Sequence, residues 1–234
     1  MAGGNASRTG EPPYPLETPF TSPDEQEVVN KLLSNYDDPK LRKPAHVIYL
    51  LDFSGSIKGP RITALRSAFA GLSGADNSPS GKFVRFYKGE EVTIMRFGGR
   101  ILDEKDFTIG GPGVFDSMRD FIATDDFDGS TAIWSALDHA YQKVSDIVHN
   151  SPGQSTSVVL MTDGENNAGT STDEFLGRYA SLSPESRAVH TYTIRLGEDD
   201  AGELLRVARV TGGHMVDATA IPLLDAFKEI RGCD

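Results

Sequence analysis

Three features of this 234-residue chain predict an α/β fold: a central, mostly parallel sheet with one antiparallel edge strand and helices on both faces. From Lys43 onward, apolar runs of strand length alternate with segments whose apolar residues recur at helical spacing. Two of the runs, Val47–Leu51 and Val158–Met161, are uninterrupted, as expected of parallel strands buried on both faces. The third feature is a break in the alternation. Val92–Phe97 and Arg100–Thr108 are separated only by Gly98-Gly99, which reads as a hairpin with a returning edge strand.

The elements follow in order. Residues 1–23 carry Pro12, Pro13, Pro15, Pro19 and Pro23 among small polar residues and read as an extended linker. Ser22-Pro23-Asp24-Glu25 has the cap, first-turn proline and acid of a helix start, continued by Val28, Val29, Leu32, Leu33 and Tyr36. The chain thus divides into an extension, 1–43, and one domain, 44–234. After the first strand, Gly59-Pro60 opens a helix with Ile62, Leu65, Phe69 and Leu72 on one face. Gly74–Gly81 is polar and glycine-rich, and Phe83–Tyr87 is either a further strand or part of an insertion. Val114–Ala123 is helical with Phe115, Met118 and Ile122 inward. Thr131 opens a long helix carrying Ile133, Leu137, Ala140, Val144 and Ile147. Ser171-Thr172-Asp173-Glu174 is a second capping box, ahead of Phe175, Tyr179 and Leu182. Val189–Leu196 is a strand, Ala201–Thr211 a helix stopped by Gly212-Gly213, and Met215-Val216 a short strand. Leu223, Leu224, Phe227 and Ile230 mark the last helix.

Composition narrows the function classes. A formal net charge of −11 argues against a nucleic-acid surface, which needs a basic footprint. No apolar run approaches the roughly 20 residues of a membrane helix, so direct membrane insertion is not expected. The single cysteine, Cys233, rules out an intrachain disulfide and a cysteine-based zinc site. His46, His139, His149, His190 and His214 show no paired metal spacing. Asp125, Asp126 and Asp128 fail the EF-hand pattern, because counting from Asp126 places Thr131 sixth and Leu137 twelfth. The N-terminus lacks the basic segment and apolar core of a signal peptide.

The chemistry concentrates in three short pieces: Asp52-Phe53-Ser54-Gly55-Ser56, Gly129-Ser130-Thr131 and Thr162-Asp163-Gly164. The first and third follow the two apolar runs, and ligand sites in open α/β sheets form where strands give way to loops. Asp52, Ser54, Ser56, Thr131 and Asp163 would then converge as two carboxylates and three hydroxyls. Oxygen-only ligation with few carboxylates suits Mg²⁺ or Mn²⁺ over zinc or copper. Such an ion keeps a water-filled position that an outside carboxylate could take. Read singly, each residue is also explained by a turn or a helix cap, Ser130 or Thr131 for the long helix above all.

Asp52-x-Ser54-x-Ser56, the later Thr131 and Asp163-Gly164 resemble the metal-ion-dependent adhesion site (MIDAS) of von Willebrand factor type A domains, over about Pro44 to Ile230. The resemblance implies a Rossmann-like fold with Mg²⁺ held at the top of the sheet, Mn²⁺ or Ca²⁺ being alternatives. It implies Ser54, Ser56 and Thr131 as ligands or near-ligands, and Asp52 and Asp163 as direct or water-bridged ones. The chain is also similar to bacterial envelope proteins in which such a domain follows a solute-binding-like domain. Leu41-Arg42-Lys43-Pro44, Leu160–Asn166 and Ala226–Gly232 carry that narrower likeness, from which the Gly74–Gly89 segment departs. An extracellular or cell-envelope location, within a larger exported protein, is the corresponding expectation.

The leading expectation is therefore a non-enzymatic binding module that engages an Asp or Glu of a partner protein through the ion. A metal-dependent phosphoryl-transfer or hydrolytic enzyme with Asp52 as nucleophile is the alternative. It would need a second acid or base and a cation to steady the transition state, and Lys58 is the only cation near the motif in sequence. A purely structural domain stiffened by its metal is a third reading.

Overall fold

A computed structural model describes residues 45–198 and 200–231. The linker and helix expected over 1–43 lie outside the described residues. Six strands form one sheet in the order β3-β2-β1-β4-β5-β6: β1 Ala45–Asp52, β2 Glu91–Phe97, β3 Ile101–Thr108, β4 Ser155–Thr162, β5 His190–Arg195 and β6 Met215–Asp217. All neighbours are parallel except β2 and β3, whose antiparallel pairing turns at Gly98-Gly99. This is the predicted arrangement, hairpin included.

The uninterrupted apolar run of β1 is explained by its place at the centre. Val47, Tyr49 and Leu51 pack into one core, while Ile48 and Leu50 pack into the other, following the two-residue alternation of a strand. The first core is covered by α1 (Pro60–Ala70), α3 (Pro112–Ile122) and α8 (Leu223–Arg231). The second is covered by α4 (Ile133–Asn150), α5 (Thr172–Ala180) and α7 (Gly202–Val210). Tyr49 meets Phe69, Phe86 and Phe227 edge-on at 5.2, 6.1 and 5.8 Å between centroids, joining β1, α1 and α8.

The stretch after α1 differs from its glycine-rich reading. A wide π-type turn, Gly71–Ala75, leads into a short helix, α2 (Pro79–Val84), capped by Ser78, whose Oγ accepts from Gly81 N at 3.0 Å. Phe83–Tyr87 is therefore not a strand. A further short helix, α6 (Pro184–Arg187), precedes β5 in the same way, with Ser183 accepting from Ser186 N at 3.1 Å.

At α5 the capping box is complete: Ser171 Oγ accepts from Glu174 N, and Glu174 Oε2 accepts from Ser171 N at 2.8 Å. Ser171→Ala is expected to lower the melting temperature by about 3 °C. An unchanged melting curve in calorimetry would show that the box contributes nothing here.

Candidate metal centre

The site is assembled by strand register. Leu51 pairs with Met161, so Asp52 and Thr162 are next in line on adjacent parallel strands, at the carboxyl end of the sheet. Thr162 Oγ1 donates to Asp52 Oδ2 at 2.6 Å, and Ser54 N donates to Asp52 Oδ1 at 2.7 Å. Asp52 is fully buried, with both carboxylate oxygens engaged. Burial pushes its carboxyl up to about 6, against the downward pull of the Thr162 and Ser54 hydrogen bonds.

From there the chain of donors continues outward. Gly55–Ile57 forms a single 3₁₀ turn. Ser54 Oγ and Ser56 Oγ are 3.0 Å apart, and Ser56 Oγ donates to Asp163 Oδ1 at 2.9 Å. Side chains from the ends of β1 and β4 thereby meet, with Asp52, Thr162, Ser54, Ser56 and Asp163 in one small network.

Thr131 is outside that hydrogen-bonded network and is held through its backbone by the segment that follows Asp163. Its amide donates to Asn167 Oδ1 at 2.8 Å, and its carbonyl accepts from Asn167 N and Ala168 N at 3.0 and 3.2 Å. None of these bonds uses the hydroxyl. Nor does Thr131 or Ser130 cap α4: the helix starts at Ile133, behind Ala132, with no side-chain cap. The capping alternative fails for both residues. Trp134, in the first turn, is buried and stacks on Phe175 at 6.2 Å, while its backbone N donates to Asn166 Oδ1 at 3.4 Å.

The 128–131 loop can lie this close because of Gly98, where a Cβ would stand 2.2 Å from Asp128 Cβ. Asp128 N donates to Phe53 O at 2.9 Å, and Ala132 N to Gly98 O at 2.8 Å, so this loop is tied to both the β1 and β2 ends. Asp128 is thus a structural part of the rim and not only a solvated acid.

The nearby cation is not the expected one. Lys58 Nζ lies 5.2 Å over the ring of Phe127, whereas Arg61, in the first turn of α1, hydrogen-bonds Asp163 Oδ2 through its guanidinium and donates to Ser56 O at 3.2 Å. Sequence reasoning passed over Arg61, Asn166 and Asn167, and took Thr162 only as part of the Thr162-Asp163-Gly164 piece, with no role of its own. Thr162 was readable from strand register, but the others reach the site from positions that no local pattern marks.

The donor set can be tested against a cation. Every polar side-chain atom facing the network from Asp52, Ser54, Ser56 and Asp163 is oxygen, and a guanidinium already answers the charge of Asp163. Among the described residues, no group of three or more His, Cys, Asp and Glu side chains is placed to hold a metal. An ion here would depend on hydroxyls and water, which fits a hard cation that retains part of its hydration.

The family model of the von Willebrand factor type A domain matches residues 46–229. The chain belongs to that family. No curated protein sequence matches it. Among solved structures, this domain shares its fold with a von Willebrand factor type A protein from Catenulispora acidiphila (TM-score 0.60, 16% identity, 81% of this chain and 42% of that one). Proximal thread matrix protein 1 from the mussel byssus, with a zinc-occupied MIDAS motif, gives 0.52 at 17% identity, over 82% and 47% of the two chains. The pilus adhesin SpaC from Lactobacillus rhamnosus GG gives 0.55 at 14%, over 82% and 30%. At these identities the likeness speaks for the fold, and the chain spans less than half of each of these neighbours. Among the described residues of this von Willebrand factor type A domain, no helix is long and apolar enough to cross a membrane.

Proposed function

We propose that this domain is a non-enzymatic binding module in which Asp52, Ser54, Ser56, Thr131 and Asp163 hold a divalent cation, Mg²⁺ foremost, and that a partner protein's Asp or Glu completes the site. The observation that carries the reading is the continuous network from Asp52 through Ser54 and Ser56 to Asp163, drawn from two strand ends. Domains of this family are generally interaction modules. A mussel neighbour holding zinc in its MIDAS supports a divalent ion, and a neighbouring pilus adhesin supports adhesion outside the cell. The all-oxygen donors favour Mg²⁺ or Mn²⁺, with Ca²⁺ admitted by its taste for oxygen, over zinc.

In this reading Asp52 and Asp163 supply charge, directly or through water, and Ser54, Ser56 and Thr131 supply neutral oxygens that leave the charge of the ion largely uncancelled. A bound Mg²⁺ supplies an electrophilic position for an outside carboxylate. The full burial of Asp52 supports binding over the enzymatic alternative, because a nucleophile must face its substrate, whereas a small ion can draw on a buried carboxylate through water.

Calorimetric titration with Mg²⁺ tests the metal: the parent binds and Asp52→Ala loses binding. Equal affinity in both would end the proposal. A pull-down in Mg²⁺ against EDTA tests the carboxylate. A partner retained equally in EDTA would leave only a structural role for the ion.

A further inference from the structure

Resting on that reading, we propose that Arg61 is a tethered cation that competes with the divalent ion for Asp163 and so sets the metal concentration at which the site fills. The carboxylate of Asp163 is shared out: Oδ1 accepts from Ser56 Oγ at 2.9 Å, while Oδ2 is taken by the Arg61 guanidinium. The same guanidinium nitrogen donates to Ser56 O at 3.2 Å, so Arg61 touches the backbone of one candidate ligand and the side chain of another. It lies on the network itself, not at a distance from it.

Exposure separates the two partners. The side chain of Asp163 is wholly shielded, and that of Arg61 is 41% exposed. The acid is fixed by its surroundings, whereas the cation hangs from the surface end of α1 and can swing into water. Two carboxylates, Asp52 and Asp163, are buried at this end of the sheet. Buried charge demands a counter-charge, and among the described residues Arg61 forms an ion pair with Asp163.

A Mg²⁺ ion drawing on the Asp163 carboxylate meets the guanidinium as a rival, because two cations on one carboxylate repel each other and each weakens the pull of the acid on the other. Metal binding is then an exchange in which Arg61 leaves as the ion enters. The lost charge-assisted hydrogen bond subtracts from the metal's intrinsic affinity, in the way any competing state reduces apparent binding.

The test is calorimetric titration of the full chain with MgCl₂, comparing the parent with Arg61→Gln and with Arg206→Gln. Arg206 pairs with Asp173 and removes the same charge without touching the network. Arg61→Gln is expected to bind Mg²⁺ about tenfold more tightly than the parent, or more so, and Arg206→Gln within about twofold of it. Metal-free Arg61→Gln is also expected to melt below the parent, with the gap closing in saturating Mg²⁺, because the Arg61 contact with Asp163 is then missing from the parent too. Equal or weaker Mg²⁺ binding by Arg61→Gln overturns the exchange while leaving the metal site standing. If neither the parent nor Arg61→Gln binds Mg²⁺ and Asp52→Ala changes nothing, the metal reading itself falls and the exchange with it.

Discussion

Arg231→Met is expected to lower the melting temperature by roughly 10 °C, from a loss of about 3–5 kcal/mol at 2–4 °C per kcal/mol for a domain of this size. Arg231 ends α8, and its guanidinium grips Glu90 with both arms, at 2.8 and 2.9 Å. It also hydrogen-bonds Val84 O, Arg85 O at 3.2 Å and Tyr49 Oη at 3.2 Å, and lies 4.8 Å over the ring of Phe86. The side chains of Arg231 and Glu90 are 8% and 1% exposed. Methionine replaces the alkyl stem but strands the Glu90 carboxylate in a place that water does not reach. The double variant Glu90→Leu/Arg231→Met removes the stranded charge and is expected to recover most of the loss, a coupling that two independent sites would not show. If the double variant melts no higher than the single one, the cost lies in packing and not in the orphaned acid.

Gly197→Ala is expected to be nearly as damaging, and from an unpromising address. The residue follows β5 and carries no polar side chain, yet a Cβ built there would stand 1.9 Å from the carbonyl oxygen of Asp163 and 2.8 Å from its carbonyl carbon. Both neighbours are backbone, so no side chain can turn aside. One of the loops must move, at about 1–3 kcal/mol as for overpacked interiors, and Asp163 moves with it. Ligand bond lengths tolerate only a few tenths of an ångström, so Mg²⁺ affinity is expected to fall at least about tenfold, as for other outer supports of metal ligands. Gly164→Ala is the control: it adjoins Asp163 in sequence, but its Cβ would enter open space. Thermal melts and Mg²⁺ titration of the two variants separate them. Equal behaviour would mean that the Gly197 approach does not hold Asp163 in place.

What could be read from the sequence follows from what is local. The strands and long helices write their burial into apolar spacing, so β1, β4, α1 and α4 were placed within a few residues. Ser-x-x-Glu at 171–174 and Gly98-Gly99 mark their elements because capping and tight turning are decided by neighbouring residues. Helix α2 was missed because the glycine and serine around it read as loop, although Ser78-Pro79 carries the same start signal as Ser22-Pro23. Ser183-Pro184 opened α6 unnoticed for the same reason. At the centre itself, hydrogen bonds join Asp52, Ser54, Ser56 and Asp163, four of the five residues in the motif, while Thr131 is bonded to the segment after Asp163 instead. Arg61 escaped because reach depends on where a helix points its first turn. Lys58, closer along the chain, went to an aromatic ring instead. Asn167 holds Thr131 by one backbone contact and one carboxamide, and Ala168 N adds a second bond to the Thr131 carbonyl, an arrangement with no residue-type signature.

Trp134 has a consequence of its own. It is the sole tryptophan of the chain, with a ring 1% exposed and a backbone amide bonded to Asn166, three residues beyond Asp163. The domain therefore holds a built-in fluorophore, shielded from aqueous quenchers and wired to the segment that carries one of the two acids. Its emission, followed during a Mg²⁺ titration, would report on that segment without any label being attached.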